Sequence, residues 1–171
     1  MLMPMAWENH MPVLGLDGRI PQTICNLTTR PGYTYQSLWC SDDFTTSQLA
    51  APWEWNHIPR LDLVTLGGGQ LRIRTGKVAS CLTQTQNILT QRSLLPACAA
   101  EVTLDASSLQ AGDAAGLCVL QSCWGWIGLC REEAGYRLVM QSRQPEDSEV
   151  GVERMSLPWA LDWVRLRAEM H

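Results

Sequence analysis

Positive charge and long hydrophobic runs are both scarce in this sequence of 171 residues. Thirteen lysines and arginines stand against seventeen aspartates and glutamates, which gives a formal net charge of −4. A nucleic-acid-binding protein needs a basic surplus to neutralise phosphates, so we expect no nucleic acid partner. The longest apolar stretch, around residues 114–120, is far shorter than the roughly 20 residues that span a bilayer, so we expect no membrane partner.

The sequence also lacks a targeting segment and a cysteine–histidine cluster. Residues 1–5 are apolar, but the basic region and the long apolar core of a signal peptide are missing. The seven cysteines include no CxxC pair and no grouping with histidine at metal-ligand spacing, so we expect no zinc site. An odd number of cysteines without a visible signal peptide favours a reduced, cytoplasmic protein.

The patterning that is present is typical of strands. Hydrophobic residues make up 46% and charged residues 18%, as in a folded globular domain. Residues 70–74 and 101–104 alternate polar and apolar, like half-buried strands. Residues 115–120 are apolar on both sides, which predicts a central strand covered on both faces. Further strand-like runs follow at 125–130, 136–140, 150–154 and 163–167. The sequence therefore predicts an all-β fold, an antiparallel β-sandwich.

The beginning of the chain has a different composition. Prolines and glycines are frequent in residues 1–36, and both oppose regular structure. We therefore expect an extended N-terminal lead-in over residues 1–36 and the sandwich over residues 37–171.

Tryptophan is unusually common, with eight residues against one phenylalanine and three tyrosines. Trp124 and Trp126 flank Gly125 between two strands, and alternation places both on one face. Flat aromatic rings on one face can stack on sugar rings, so this pair is a candidate carbohydrate-binding platform. Packing against a second sheet or another domain is the alternative interpretation, because tryptophan is also a large core and interface residue.

Three short segments carry a resemblance to a known family. They read Trp53-Glu54-Trp55-Asn56-His57, Asn87-Ile88-Leu89-Thr90-Gln91-Arg92 and Gly112-Asp113-Ala114-Ala115-Gly116-Leu117. In this order and spacing they resemble the C-terminal β-sandwich domain of family 43 glycoside hydrolases, the β-xylosidase and α-arabinofuranosidase group. The resemblance implies a concanavalin A-like jelly roll. It also implies that residues 1–36 are a linker and the tail end of a catalytic propeller.

The resemblance runs from about Trp7 to the C-terminus, with three departures. Gln86 stands where the family usually has arginine, and residues 61–69 differ from the usual aromatic and charged segment. Family members also continue for several strands beyond the position of His171. We therefore expect the accessory domain over residues 37–171 to be incomplete at its C-terminus.

The function that this resemblance implies is non-catalytic. Such a domain packs on a five-bladed catalytic propeller and shapes its active site for xylan- or arabinan-derived saccharides. The family's catalytic carboxylates lie on the propeller, so no catalytic residue is assigned here. Trp53, Trp55 and His57 are the candidates for the domain interface or the pocket wall. The alternative is a stand-alone carbohydrate-binding module that uses Trp124 and Trp126.

Other chemistry finds no support in the sequence. A glycosidase needs two positioned carboxyl groups, whereas the adjacent Asp42 and Asp43 fit a solvated strand start or a cap. Asp113, after Gly112, suggests a turn-stabilising interaction, with a structural Ca²⁺ ligand as the less favoured interpretation, and we expect no cofactor. No serine or cysteine nucleophile has a partner histidine at a supporting spacing, which disfavours a free-standing enzyme of another kind.

Overall fold

The computed structural model describes residues 4–16, 19–20, 30–34, 36–94 and 96–171. The chain divides into two compact units, Met1–Gln36 and Ser37–His171. Among the described residues, no helix is long and apolar enough to cross a lipid bilayer. Every strand pair among these residues is antiparallel, so the predicted all-β, antiparallel fold class is confirmed.

The first unit contains a β-hairpin that adds regular structure to the predicted lead-in. Strand β1 (Met5–Glu8) pairs with strand β2 (Met11–Leu14). Asn9 and His10 form the turn with backbone φ angles of 48° and 65°. Two-residue hairpin turns favour this left-handed conformation because its twist matches that of the strands. The hairpin thus needs no glycine at its turn, and the proline and glycine pattern did not reveal it.

The second unit is built from strands β3 to β12. These are β3 (Glu54–Trp55), β4 (Val64–Gly67), β5 (Gln70–Ile73), β6 (Leu89–Thr90), β7 (Cys98–Asp105), β8 (Ala114–Leu120), β9 (Trp124–Glu132), β10 (Gly135–Arg143), β11 (Val152–Trp159) and β12 (Trp163–Met170). Strand β3 pairs with β6, and β4 pairs with β5. Two single-turn 3₁₀ helices, Leu61–Leu63 and Leu82–Gln84, lie in the connections.

Two layers of strands enclose the core. Strands β8 to β11 form a four-stranded sheet in the order β11-β10-β9-β8, and the separate pair β12-β7 lies against β8 and β9. Val164 and Leu166 of β12, 5% and 3% exposed, belong to one core cluster with the fully buried Leu129 of β9. Arg165 and Arg167 alternate with them on the solvent side of β12. The period of two along β12 thus separates core from solvent, as a sandwich requires.

The second layer covers only part of the four-stranded sheet. Ile127, Met140 and Met155 are cross-strand neighbours in one row on the core-facing side. Ile127 packs against the core, whereas Met140 and Met155 are 42% and 39% exposed. In the next row Leu138 packs against the core, but its partner Leu157 is 48% exposed. We call Met140, Met155 and Leu157 the open apolar patch, and it continues the core toward β11.

Among the described strands, β8 lies at the edge of its sheet, so the predicted central position was wrong. Small residues explain the error, because alanine, glycine and cysteine read as apolar without needing cover on both faces. Gly116 of β8 is paired with Gly128 of β9. A Cβ atom on Gly116 would lie 2.2 Å from the Ile127 carbonyl oxygen, and one on Gly128 would lie 2.1 Å from the Ala115 carbonyl oxygen. The two strands can come this close only because both residues are glycine.

Candidate functional site

Trp53 is anchored by a turn that begins at Asp42. The indole Nε1 of Trp53 donates to Asp42 Oδ2 at 3.0 Å, and its ring contacts Phe44 with centroids 5.9 Å apart. The Phe44 backbone N–H donates to Asp42 Oδ1 at 2.8 Å. Hydrogen bonds from the hydroxyl and backbone N–H of Thr45 lower the pKa of Asp43. Both aspartates therefore stabilise this turn, which agrees with the preference for a cap over a catalytic pair.

Trp55 lines an open cleft beside the β4-β5 hairpin. It belongs to β3, pairs with Leu89 of β6 and is half-buried. The cleft encloses about 370 Å³. The apolar part of its wall comes from Leu49, Trp55, Leu61, Val64, Leu66 and Leu71. We call it the Trp55 cleft. A rigid indole in an open apolar cleft can receive an apolar side chain from a partner surface.

His57, at the end of the first motif, is bonded to the rest of the fold. Its Nε2 atom lies 2.8 Å from the Thr83 carbonyl oxygen, so Nε2 carries the proton and donates it. The backbone N–H of Asn56 donates to the Ile88 carbonyl oxygen at 3.0 Å. The first motif is therefore held against the segment that carries the second motif.

Two amide side chains of the second motif each bind a distant backbone peptide. Asn87, 7% exposed, accepts from the Arg60 N–H at 2.8 Å and donates to the Arg60 carbonyl at 3.1 Å. Gln91 accepts from the Cys40 N–H at 2.9 Å and donates to the Cys40 carbonyl at 2.8 Å. We call these the two amide clamps. The sequence did not predict these bonds, because Arg60 and Cys40 take part only through their backbone atoms.

Trp124 and Trp126 lie on the face of β9 that alternates with the core-facing Ile127. Trp124 is 4% exposed, and a Cβ on Gly151 would lie 2.5 Å from its ring. Trp124 therefore has almost no surface for a ligand. Trp126 is half-buried, and its indole Nε1 donates to Gln141 Oε1 at 2.8 Å. The stacking role stays a prediction, and Trp126 is the member of the pair that keeps some exposed surface.

The perturbed carboxyl pKa values among the described residues all move down. A hydrogen bond from Arg60 lowers the pKa of Asp62, and a hydrogen bond from Arg165 lowers the pKa of Glu101. The general acid of a glycosidase needs the opposite, a raised pKa that keeps its proton near neutral pH. These groups therefore suit ion pairs and turns better than acid catalysis.

Asp113, in the third motif, stabilises the loop before β8. Its Oδ2 atom accepts from the Gln110 backbone N–H at 3.0 Å and from the Thr75 hydroxyl at 3.5 Å. These bonds fit the turn-stabilising role that the sequence suggested. In the described part of the chain, no three His, Cys, Asp or Glu side chains come together as metal ligands would.

Comparison with known proteins gives consistent matches. A family model described as the beta xylosidase C-terminal concanavalin A-like domain matches residues 41–171. A solved protein from Bacteroides eggerthii, described as a bifunctional GH43-CE, is 32% identical with a TM-score of 0.78, and the match covers 99% of this chain and 22% of that one.

A second solved protein is a GH43 glycoside hydrolase, engineered in its active site and described as displaying both endo-xylanase and exo-arabinofuranosidase activity. It is 26% identical with a TM-score of 0.73, and the match covers 97% of this chain and 35% of that one. The curated proteins contain no match. The chain thus spans 22% and 35% of the two solved proteins.

Proposed function

This chain belongs to the C-terminal concanavalin A-like domains of family 43 β-xylosidases, and we propose that it packs on a catalytic propeller and shapes its active site. The resemblance carried by the three motifs is confirmed by the family model and by the two solved neighbours. The chain is therefore an accessory domain of a glycoside hydrolase. Its contribution, in this proposal, is steric and involves no proton transfer.

The open apolar patch is the observation that carries this proposal. Met140, Met155 and Leu157 lie on adjacent strands, are 39% to 48% exposed and continue the core directly. Contiguous exposed apolar surface of this kind marks interaction sites. Burial of a fully exposed methionine or leucine side chain contributes on the order of 1.5–3 kcal/mol. Because these three side chains are already more than half buried, covering the remainder contributes less than half of that for each, which still favours docking.

We assign the wall of the substrate pocket to the segment that holds Trp55. The bond between Trp53 and Asp42 and the bond between His57 and Thr83 fix this segment on both sides of Trp55. A side chain fixed in this way can restrict which saccharide fits, because it cannot move aside for a larger ligand. We propose xylose- or arabinose-containing saccharides as substrates, since the engineered neighbour is described as acting as an endo-xylanase and exo-arabinofuranosidase.

Complementation tests this proposal. The Bacteroides eggerthii enzyme is expressed without the region that residues 37–171 match, and hydrolysis of 4-nitrophenyl xyloside and arabinofuranoside is measured with and without added chain. We expect the chain to raise the activity and to show none alone. The double variant Met155→Glu/Leu157→Glu should not raise it, because two carboxylates in the patch oppose burial.

The matched control is Val78→Glu, which places the same charge on a residue that is 98% exposed and outside the patch. This variant should complement as well as the unchanged chain. No gain of activity with the unchanged chain, or an equal gain with the double variant, contradicts the proposal. Hydrolysis by the purified chain alone contradicts its non-catalytic assignment.

A stand-alone carbohydrate-binding module is the second candidate function. It is favoured by the fixed position of Trp126, whose partner Gln141 also donates to the Val150 carbonyl at 3.0 Å. Trp126→Ala should then weaken the binding of xylo-oligosaccharides by about 1–3 kcal/mol, as for stacking on other flat ligands. Calorimetric titration measures this, with Trp39→Ala as the control because Trp39 is 56% exposed. Equal affinities of both variants reject Trp126 as the platform.

We also propose a cytoplasmic location for the protein. The cysteines of the described residues are free thiols, as a reducing compartment favours. Counting reactive thiols in the unfolded protein, isolated without reductant, tests this, and a count below seven contradicts it.

A further inference from the structure

A second cleft lies at one end of the second unit, between the β7-β8 connection and the β9-β10 turn. It is an open cleft of about 450 Å³. Its hydrogen-bonding groups are Ser107 and Gln110 from the connection, and Arg131, Glu132, Glu133 and Tyr136 from the hairpin. We call it the loop cleft. Donors and acceptors both surround it, and they come from two separate segments of the chain.

Backbone and side-chain bonds fix the two walls of the loop cleft against each other. The Gly112 N–H donates to the Arg131 carbonyl, and the Arg131 N–H donates to the Asp113 carbonyl, both at 2.9 Å. The Tyr136 hydroxyl donates to the Ala106 carbonyl at 3.2 Å. The Arg131 guanidinium lies 4.6 Å from the centre of the Tyr136 ring. The two backbone segments and the Arg131 and Tyr136 side chains are therefore positioned before any ligand arrives, which lowers the entropic cost of binding.

The charges of the loop cleft disfavour an anionic ligand. The charged residues that line it are Arg131, Glu132 and Glu133. The Glu132 carboxylate is already paired with Arg137, whose Nε lies 3.3 Å from its Oε1, and alternation along β9 places it on the face opposite to that of Arg131. The guanidinium of Arg131 and the carboxylate of Glu133 therefore remain for a ligand. A hydroxyl group suits this mixture, because it can donate to a carboxylate and accept from a guanidinium or an amide at once. A ligand with several hydroxyls and no charge satisfies both kinds of group.

We infer that the loop cleft binds a neutral mono- or disaccharide. Arg131 and Gln110 donate to the sugar hydroxyls, and Glu133 accepts from them. Gly112 takes a backbone φ of 95°, which favours glycine, and thereby holds the connection against Arg131. The third motif, which the docking function does not use, thus acquires a role in building this site. The open apolar patch takes no part in the loop cleft. The docking proposal and the saccharide-binding inference can therefore be tested separately.

A titration of the ¹⁵N-labelled chain, followed by backbone and side-chain amide shifts, tests the inference. The probes are xylobiose, arabinobiose and cellobiose, with methyl glucuronide as the charged counterpart. At least one neutral disaccharide should shift the amides of residues 107–113 and 131–136 saturably. Glu133→Ala and Arg131→Ala should each weaken this binding at least tenfold. Glu146→Ala, an exposed change outside the cleft, should leave it unchanged.

Four results overturn the inference. They are no saturable shift with any neutral probe, shifts centred on Trp126 and Gln141 instead of the cleft, tighter binding of methyl glucuronide than of every neutral probe, and unchanged affinity in the Glu133 variant. Glu133 is an exposed turn residue, so its variant keeps the test valid if the Arg131 variant folds poorly. Complementation by the Met155→Glu/Leu157→Glu chain is measured separately and does not bear on the cleft.

Discussion

Asn87 and Gln91 place side-chain amides where a β-sheet would place backbone. Each amide accepts a hydrogen bond from the N–H of one distant residue and donates one to the carbonyl of the same residue. The sequence separation is 27 residues for Asn87 and 51 residues for Gln91. An amide is the side chain best suited to this, because it carries a donor and an acceptor at the spacing of a peptide group. The two clamps therefore connect irregular segments that have no strand partner of their own.

Replacing Asn87 by alanine should destabilise the protein strongly. The substitution leaves the Arg60 N–H and carbonyl without their partners in a half-buried position, and each lost bond of this kind costs about 1–3 kcal/mol. Alanine is also disfavoured at the φ angle of 60° that Asn87 adopts. We expect a loss of about 2–4 kcal/mol in the free energy of unfolding, measured by urea denaturation.

Two further variants separate the clamp from a general effect of substitution. Asn87→Asp keeps the acceptor for the Arg60 N–H but turns the donor into a second acceptor, so it should also destabilise the fold near neutral pH. Asn56→Ala changes an exposed asparagine in the neighbouring motif and should have little effect. If Asn56→Ala destabilises the protein as much as Asn87→Ala does, the clamp is not the cause.

Sequence reasoning located the motif residues but not their partners. Asn87 and Gln91 were recognisable in the sequence only as members of the second motif, by their identity and spacing. Their partners, Arg60 and Cys40, contribute only backbone atoms, so their own side chains carry no sign of the contact. In a long-range bond between a side chain and a backbone peptide, only the side-chain partner can be recognised from the sequence. The backbone partner can be any residue.

At the scale of strands, the contact between β8 and β9 depends on the glycine pair. Gly116→Ala or Gly128→Ala should cost about 1–3 kcal/mol or more, because each Cβ would overlap a carbonyl oxygen of the facing strand at 2.2 Å or 2.1 Å. Thermal unfolding followed by circular dichroism measures the loss. Gly125→Ala is the matched control on β9, since its nearest atom would lie at 3.8 Å. A loss as large for Gly125→Ala contradicts the explanation by close approach.

The pairing of β12 with β7 should weaken in acid. Arg165 donates to Glu101 across the pair, and this bond lowers the pKa of Glu101 below its ordinary value. A lowered pKa in the folded state adds stability above the unfolded pKa of about 4.3, and this stability disappears as the pH falls through the lower folded value.

Glu101→Gln tests this contribution, because it removes the charge and keeps the shape. The urea midpoint of the unchanged protein should slightly exceed that of Glu101→Gln at about pH 7, and the gap should begin to narrow below about pH 4 and close below the lowered pKa of Glu101. The exposed Glu149→Gln provides the control. A gap that is constant with pH shows that the ion pair does not contribute.

Strand-like patterning predicted most strands of the second unit, since β5, β7, β8, β9, β10, β11 and β12 all overlap the runs identified in the sequence. It failed for the position of β8, because position in a sheet depends on which strands exist elsewhere in the chain. It also gave no sign of the short pairing between β3 and β6. Two-residue strands are too short to show any periodicity.

At the scale of the whole molecule, the open apolar patch should make the isolated chain associate with itself. Exposed apolar surface that is contiguous with a core is an aggregation liability. Light scattering should show an apparent mass that rises with concentration for the unchanged chain. The variant Met155→Glu/Leu157→Glu should stay nearer the mass of a monomer, 19.1 kDa, whereas Val78→Glu should behave like the unchanged chain. Equal masses for all three proteins contradict a role of the patch.

The Asn87 clamp also bears on how this protein ages. Asparagine side chains deamidate when the next backbone nitrogen attacks the side-chain carbonyl, and the product is an acid that can no longer donate to the Arg60 carbonyl. Here the attacking nitrogen belongs to Ile88, whose branched side chain hinders the approach, and the amide is held from both ends and 7% exposed. The hydrogen bonds of the clamp thus protect the Asn87 side-chain amide from deamidation. Deamidation of Asn87 should follow unfolding instead of preceding it, so an acidic form at this position would record that a molecule has been unfolded.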